Sequence, residues 1–264
     1  MEKPIPILTG YNGKDEFITP ETFAGHCPAE FVNRDKVIKK GIIRCYITFF
    51  EGKSDFLDSL PVIFKFHGGS CSTNVYEYKN NLIAISQLGA PAAANLMEEL
   101  SVFGIKEFIA VGSAGCLNDR IKDKFMLVSK AIRDEGLSYH YLKPSTYVST
   151  DRELNEKLID YMKCKNFIFS KGITWTNDAY YRETDKKLKM AKELGASAVE
   201  MECAAWCAVA KHRKLKFSQI LYFSDIVKQN SWTRLIKNNN GSYYNDVKLE
   251  ILLMVQDMID NIQK

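Results

Sequence analysis

The 264-residue chain lacks an uninterrupted apolar run of about 18 residues, the length that a membrane-spanning helix needs. Its first residues, Met1 to Gly10, contain no apolar segment preceded by basic residues, as an export signal would. The seven cysteines are odd in number and include no Cys-x-x-Cys pair, which argues against a disulfide framework and a structural zinc site. We therefore expect a cytoplasmic protein without a metal or a bound cofactor.

An excess of charge of one sign is also missing. The chain has 36 basic and 32 acidic residues, and the basic residues are scattered rather than arranged in a stripe. This pattern gives little support to nucleic-acid binding. Apolar residues make up 46% of the chain, enough for a substantial core. The expected partners are small molecules rather than nucleic acids or membranes.

Apolar strand-like runs alternate with helical patterns, which predicts an α/β layer fold in one domain over residues 1–264. The predicted strands are Ile42–Phe50, Pro61–Phe66, Leu82–Ser86, Glu107–Val111, Phe125–Ser129, Asn166–Lys171 and Phe217–Phe223. Helices are predicted from about Ala92 to Phe103, after a cap at Thr150/Asp151, and at the end of the chain from Val247 to Ile262. No internal repeat and no linker divides the sequence.

The tetrapeptide Val199-Glu200-Met201-Glu202 is predicted to open an apolar helix. Side chains two residues apart on a helix point in directions that differ by roughly 200°, so only one of the two glutamates can readily face a given pocket. We predict that Glu202 is the one that faces the ligand. An ionised carboxylate can accept hydrogen bonds from both hydroxyls of a ribose diol, with Met201 as an apolar wall. The alternative is that both glutamates are first-turn acids favoured by the helix dipole, while Met201 is ordinary core.

Three further segments carry candidate binding groups. Ile109 to Gly115 is an apolar strand that runs into a small-residue turn, where backbone N–H groups can bind an anion or simply form a tight turn. Leu88 to Pro91 ends another apolar strand. Thr176 to Arg182 contains an aromatic pair beside polar residues, which suits stacking of a planar base but also ordinary packing.

The ordered set Gly89-Ala90-Pro91, Val111-Gly112-Ser113-Ala114-Gly115, Asp178-Ala179-Tyr180-Tyr181, Val199-Glu200-Met201-Glu202 and Ser224-Asp225 resembles the purine nucleoside phosphorylase and uridine phosphorylase superfamily. That superfamily also includes methylthioadenosine/adenosylhomocysteine nucleosidases. The resemblance covers roughly residues 60 to 230, and residues 1–40 look divergent. It implies a central mixed β-sheet, partly barrel-like and flanked by helices.

The resemblance also implies an activity, namely cleavage of a nucleoside by phosphate to give a free base and ribose 1-phosphate. Inorganic phosphate would be a co-substrate. The alternatives are a nucleoside hydrolase of the same fold that uses water, a uridine-type phosphorylase, and a nucleoside-binding module without turnover.

Each site residue takes a role from the matching motif. Ser113, with Gly112 and the neighbouring turn amides, would hold the anion, and Gly89 belongs to a second turn of the pocket. Met201 and Glu202 would hold the ribose, and Glu200 would frame the base or sugar. Tyr180 would lie against the base. Asp225 would assist the leaving base at N7, which favours a purine. The residues to which the resemblance assigns a role are Gly89, Gly112, Ser113, Tyr180, Glu200, Met201, Glu202 and Asp225.

The sequence departs from the family pattern where phosphate would bind. Phosphorylases usually carry an arginine where this chain has Ala110, and no glycine-and-arginine phosphate loop is found in Leu8 to Phe31. Arg44 and Arg133 are candidate substitutes, and Arg182 could read the base. For each, a surface or salt-bridge role is the alternative.

Two polar stretches lie beside these motifs. Lys228 to Asn245, with Arg234, is predicted as an irregular segment that either closes over the site or forms a surface loop. His67 to Ser70 is a glycine-rich loop whose histidine either contacts phosphate or sugar or is structural.

Members of the superfamily assemble as dimers and often as trimers of dimers, with a neighbouring chain completing each pocket. The resemblance therefore implies a homodimer or homohexamer. The segment Phe23 to Arg44 is expected to be the part that one subunit contributes to its neighbour.

Overall fold

The computed structural model describes residues 5–9, 16–49, 54–67, 72–118, 124–235 and 242–262, with side chains from 249 onward in the last range. The glycines and the serine that follow His67, together with residues 236–241 of the predicted irregular segment, lie outside these ranges.

The strands within these ranges belong to one mixed sheet. They are β1 Arg44–Thr48, β2 Val62–Phe66, β3 Thr73–Tyr78, β4 Asn81–Ile85, β5 Glu107–Cys116, β6 Phe125–Asp134, β7 Tyr147–Ser149, β8 Phe169–Asn177, β9 Ala196–Glu200, β10 Lys216–Lys228 and β11 Ser231–Arg234.

Along the sequence, most of the helices lie between two strands. They are α1 Pro20–His26, α2 Arg34–Lys39, α3 Asp55–Asp58, α4 Ala90–Val102, α5 Ser138–Tyr141, α6 Arg152–Cys164, α7 Asp185–Glu193, α8 Cys203–Arg213 and α9 Ser242–Asn261, with short 3₁₀ turns at Pro6–Leu8 and Tyr180–Arg182. In the part of the chain that the structure describes, no helix combines the length and apolarity needed to cross a bilayer. The predicted cap of α6 is confirmed, because the Asp151 carboxylate accepts from the Leu154 N–H at 2.9 Å.

Strand β5 joins two parts of the sheet and pairs with three other strands. It runs parallel to β1 and β10 and antiparallel to the short strand β9. Strand β10 continues to β6, β6 to β8, and β8 to β9, so that β5, β10, β6, β8 and β9 form a closed ring. Strands β1, β4, β3 and β2 extend from β5 as an open sheet. The predicted mixed, partly barrel-like sheet flanked by helices is confirmed.

Helices cover both faces of the sheet and form two main cores. Helices α4 and α8 pack together on one face, where Trp206 is fully buried and donates its indole N–H to Ala93 O at 2.8 Å. Helices α6 and α9 cover the other face with residues such as Leu158 and Met258. The parallel strands β4, β1, β5 and β10 all end at one edge, and in parallel sheets that edge is where ligands bind.

The sequence misplaced several boundaries. The strands predicted to end at Val111 and Phe223 continue to Cys116 and Lys228, because β9 and β11 pair with their final residues. The prediction that Val199 opens a helix is wrong, since Val199 and Glu200 end strand β9 and α8 begins at Cys203.

Candidate active site

The end of strand β5 carries the predicted anion site. Ser113 is exposed, whereas the other nine residues of this strand are buried, so open space lies in front of its hydroxyl. Gly112 has no room for a side chain, because a Cβ there would lie 2.9 Å from the Phe49 ring. The glycine therefore allows the loop after β1 to close against β5 beside Ser113.

Gly115 is the point where three strands meet. It pairs with Val199 of β9 on one side and with Asp225 of β10 on the other. A Cβ on Gly115 would lie 2.8 Å from Val227 Cγ2, 2.9 Å from Val199 Cγ1 and 3.1 Å from Asp225 Oδ2. Only glycine permits this approach, which brings Asp225 beside the end of β5, two residues from Ser113.

Glu200 is buried and its carboxylate is fully used within the chain. Oε2 accepts from the N–H groups of Glu202 at 2.8 Å and Cys203 at 2.7 Å, the first amides of α8. Oε1 accepts from the hydroxyls of Thr174 at 3.2 Å and Thr176 at 2.6 Å. Burial raises its pKa, and these four bonds act in the opposite direction. The geometry gives Glu200 the role of a helix cap that positions Glu202.

Glu202 occupies the N-cap position of α8 and is buried. Its Oε1 accepts the Gly89 N–H at 2.6 Å, which joins the helix start to the turn before α4. Gly89 has a φ of +95°, a conformation that favours glycine. Burial raises the pKa of Glu202 to about 8, the nearby Glu200 and Asp178 carboxylates add to the rise, and the Gly89 N–H opposes it.

The turn Tyr180–Arg182 brings an aromatic side chain towards Asp225. Tyr180 is 47% exposed, and its pKa is raised first by partial burial and then by the charges of Asp225 and Glu183. The ring of Tyr181 meets that of Tyr180 edge to face, with centroids 4.9 Å apart. Arg182 is exposed at the end of this turn, so its role in reading the base stays a prediction.

Sequence reasoning missed Glu183, the residue after this turn. Burial raises the pKa of its carboxyl to about 7, and the charge of Asp225 adds to the rise, while Asn177 and Lys187 lower it. The signal available in the sequence was an acid directly after an aromatic turn, which is not distinctive alone. The structure thus places two carboxyl groups, Glu183 and Asp225, near Tyr180.

Asp225 lies inside strand β10 rather than at a strand exit. Its Oδ1 accepts from the Ser224 hydroxyl at 2.6 Å, and its Oδ2 accepts from the Trp232 indole N–H at 2.9 Å. Trp232 and Arg234 belong to β11, which pairs Arg234 directly with Asp225. The segment predicted to be irregular therefore begins with a strand, and whether Arg234 contacts a ligand stays a prediction.

Arg44 is not near the anion site, and the prediction that it binds substrate is wrong. Its guanidinium is buried and donates twice to Glu107 Oε2, at 2.9 and 2.6 Å. Arg44 and Glu107 pair at the amino-terminal ends of β1 and β5. Ser113 lies six residues further along β5, which corresponds to about 20 Å. An arginine in an apolar strand here serves a buried ion pair.

Arg133 is also engaged within the chain, which corrects its assignment as a substrate ligand. Its guanidinium donates to the hydroxyls of Ser138 at 2.8 Å and Ser145 at 2.9 Å, and to the carbonyls of Leu142 and Lys143 at 3.2 and 2.8 Å. These bonds use four of its five N–H donors. Arg133 therefore holds the segment that follows β6.

Three side chains, Ser113, Glu202 and Asp225, offer different chemical groups for the cleavage of a glycosidic bond. Ser113 presents a hydroxyl at the open end of β5, Glu202 presents a buried carboxyl at the start of α8, and Asp225 presents a second carboxyl on β10. Gly115 links these elements, because it pairs with both β9 and β10. The ranges that the structure describes contain no cluster of three or more His, Cys, Asp or Glu side chains suited to a metal ion.

Comparison with known proteins gives consistent matches. A family model described as the phosphorylase superfamily matches residues 48–242. A DeoD-type purine nucleoside phosphorylase from Buchnera aphidicola subsp. Schizaphis graminum is 27% identical over 180 residues, covering 66% of this chain and 75% of that protein. A guanosine phosphorylase from Halorubrum lacusprofundi is 27% identical over 146 residues, covering 55% of this chain and 61% of that protein.

Solved structures share the fold. A Campylobacter jejuni 5'-methylthioadenosine/S-adenosyl homocysteine nucleosidase superimposes with a TM-score of 0.64 at 18% identity, covering 83% of this chain and 98% of that one. A uridine phosphorylase from Vibrio fischeri gives a TM-score of 0.59 at 21% identity, covering 70% of this chain and 80% of that one.

Proposed function

Because the chain belongs to the phosphorylase superfamily, we propose that it cleaves the N-glycosidic bond of a purine nucleoside with inorganic phosphate as the attacking group. The products are a free base and ribose 1-phosphate. The observation that carries the proposal is the packing around Gly115, which brings Asp225 beside the end of β5 that bears Ser113. The names of the curated relatives support a purine substrate and phosphorolysis.

Cleavage of a glycosidic bond creates positive charge on the sugar and negative charge on the departing base. In this proposal, Glu202 and the incoming phosphate stabilise the sugar cation. Asp225 donates a proton or a hydrogen bond at N7, so that the base leaves as a neutral species. Tyr180 lies against the base, and Ser113 with its neighbouring amides holds the phosphate. Arg182 and Met201 complete the contacts to base and sugar.

The raised pKa of Glu202 couples binding of the sugar to the release of a proton from this carboxyl group. Burial and the neighbouring Glu200 carboxylate raise the pKa of Glu202, so the empty site favours the protonated form of this carboxyl up to a higher pH than usual. Ribose hydroxyls donate hydrogen bonds, and donors favour the ionised form of a carboxyl group. Binding of the nucleoside therefore lowers the pKa of Glu202 and releases a proton, which makes binding tighter as the pH rises from 6 to about 8.

Hydrolysis is the second candidate, and the positions of two arginines favour it. Arg44 is bound to Glu107, Arg133 is bound within its own segment, and the buried Ala110 offers no charge. None of these three positions offers a phosphate dianion a guanidinium, and each charge-assisted hydrogen bond lost in this way is worth about 1.5–3 kcal/mol. Water carries no such charge and needs no arginine.

One experiment separates the candidates. The protein is incubated with inosine, adenosine, uridine and methylthioadenosine, each with and without phosphate, and the released base is measured by chromatography. Phosphate-dependent release from a purine nucleoside, with ribose 1-phosphate as the second product, supports the proposal. Release at the same rate without phosphate replaces phosphorolysis by hydrolysis. Thermal stabilisation by nucleosides without any product favours a binding module and overturns both enzymatic candidates.

We also propose that the chain acts as a homo-oligomer in the cytoplasm, as a homodimer or a homohexamer. The segment Phe23 to Arg44 supports this, because Val32 is 74% exposed and Ile38 and Ile43 are partly exposed. Exposed aliphatic side chains in one segment favour contact with another surface. Light scattering tests the proposal, and a monodisperse monomer would contradict it.

A further inference from the structure

Trp232 lies on a hairpin that presents its side chain to Asp225. Strands β10 and β11 are antiparallel, with Val227 opposite Trp232 and Asp225 opposite Arg234. Asp225 is therefore the diagonal neighbour of Trp232 on the same face, a spacing that a long side chain can bridge. The turn of the hairpin is held in place, because the Asn230 N–H donates to Asp185 Oδ1 at 3.2 Å.

The indole N–H determines how the two carboxylate oxygens of Asp225 are used. It donates to Oδ2 at 2.9 Å, and Oδ2 also faces Gly115. An indole N–H is only a donor, so it keeps Oδ2 as an acceptor. The Ser224 hydroxyl, which bonds to Oδ1 at 2.6 Å, can both donate and accept. Oδ1 is therefore the oxygen left to exchange a proton with a bound base.

The ring of Trp232 remains open to solvent although its N–H is bonded. The side chain is 54% exposed, whereas the other two tryptophans of the chain, Trp175 and Trp206, are fully buried. The Tyr180 ring is close enough to Asp225 for that charge to raise its pKa. The exposed face of Trp232 thus lies directly beside the Asp225 carboxyl group, where a planar base that reaches this carboxyl can pack against the indole.

We propose that Trp232 is a positioning residue that fixes Asp225 through its indole N–H and forms one wall of the base pocket. A purine that reaches Asp225 then covers part of the exposed indole. The inference rests on the proposed function, since it assigns Asp225 to the departing base. It adds a residue that no motif of the family resemblance includes.

The first test uses the fluorescence of the three tryptophans. Hypoxanthine and adenine, which cannot turn over without a sugar donor, are titrated into the wild-type protein while tryptophan emission is recorded. We expect a saturable change in emission, because the exposed Trp232 loses contact with water. The change should be absent in Trp232→Phe, in which only the buried tryptophans remain. A wild-type emission that does not respond, although the bases inhibit turnover, would overturn the proposal.

The second test separates the N–H from the ring. Trp232→Phe keeps an aromatic wall but removes the donor, so we expect kcat to fall about 10-fold with little change in KM. Trp232→Leu removes both, so KM should rise as well, by about 10-fold. Thr233→Val is the matched control, because Thr233 lies on the same strand with its side chain on the opposite face, and it should keep wild-type values.

The outcomes also separate this proposal from the proposed function. Wild-type activity together with an unchanged kcat in Trp232→Phe refutes the positioning role alone. A wild-type protein that releases no base from any purine nucleoside refutes both. Equal losses in Thr233→Val and Trp232→Phe would show that the hairpin matters only as a structural support.

Discussion

Replacement of Gly115 by alanine should reduce stability and turnover together. The added methyl group would lie 2.8 Å from Val227 Cγ2 and 2.9 Å from Val199 Cγ1. Carbon atoms in contact prefer separations of about 3.5–4.0 Å. Strands β9 and β10 would each have to move by about 0.6–1.2 Å, and Asp225, whose Oδ2 lies 3.1 Å from the same position, would move with β10.

The size of both effects follows from these distances. Overpacking of this kind typically costs about 1–3 kcal/mol, and we expect about 2–3 kcal/mol because the methyl group is confined on two sides. For a chain of this length the melting temperature should fall by about 4–12 °C. A shift of about 1 Å in a group that acts on the substrate can lower the rate about 10²-fold, so kcat/KM should fall by about that factor.

Circular dichroism measures the melting temperature, and chromatography measures base release. Gly172→Ala is the control, because its methyl group would press on the flexible Met126 side chain in strands β8 and β6, away from Asp225. That variant should lose some stability and keep its turnover per folded molecule. If Gly115→Ala retains both the wild-type melting temperature and the wild-type kcat/KM, the three-strand junction does not position Asp225.

Three further predictions concern single side chains. Asp225→Ala should lower kcat by about 10²-fold or more, as expected for lost acid catalysis, and a wild-type rate of base release would exclude Asp225 from that role. The pKa of Glu202 is raised on folding, so the folded state keeps a proton that the unfolded state loses, and the free energy of unfolding falls as the pH rises from about 4.5 to 8. Denaturant titrations at several pH values should show a weaker fall in Glu202→Gln. An equal fall in the variant and the wild-type protein would contradict the assignment. Arg44→Met should cost about 3–5 kcal/mol by leaving Glu107 buried without a partner, whereas Arg44→Met with Glu107→Leu should recover most of it, and neither variant should change the phosphate concentration needed for half-maximal rate.

The parts of the fold that sequence predicted are those determined by local pattern. The Asp151 cap of α6 depends on residues three apart, and the apolar run of β5 is visible in its own sequence. The strand at Val199 was taken for a helix because the apolar residues of α8 follow it without a break. What ends that strand is the Glu200 carboxylate, which caps α8 and accepts from Thr176 of the neighbouring strand β8, 24 residues earlier in the sequence.

The sequence predicted which motifs form the candidate site, but it did not predict which side chains contact one another there. Arg44 looked available because its partner, Glu107, is 63 residues away in sequence. No role was predicted for Glu183 or Trp232, because the relevance of each depends on being close to Asp225, and only folding brings them together. Side-chain type and order identified the chemistry, and the pairing of non-neighbouring strands determined which groups take part in it.

Strand β5 belongs both to the closed ring and to the open sheet. It therefore divides the chain into two regions that should differ in their tolerance of mutations. Among the described strands, β2 and β3 connect to the rest of the sheet through β4 and β1, so we expect an insertion or a shift at that outer hairpin to have little effect on Ser113. Strands β9 and β10 of the ring differ from this hairpin, because both pair directly with Gly115 and a displacement of either one acts on it at once. Sequence drift should therefore accumulate in the outer hairpin, and mutational scanning of abundance and activity should show a steep boundary at β5.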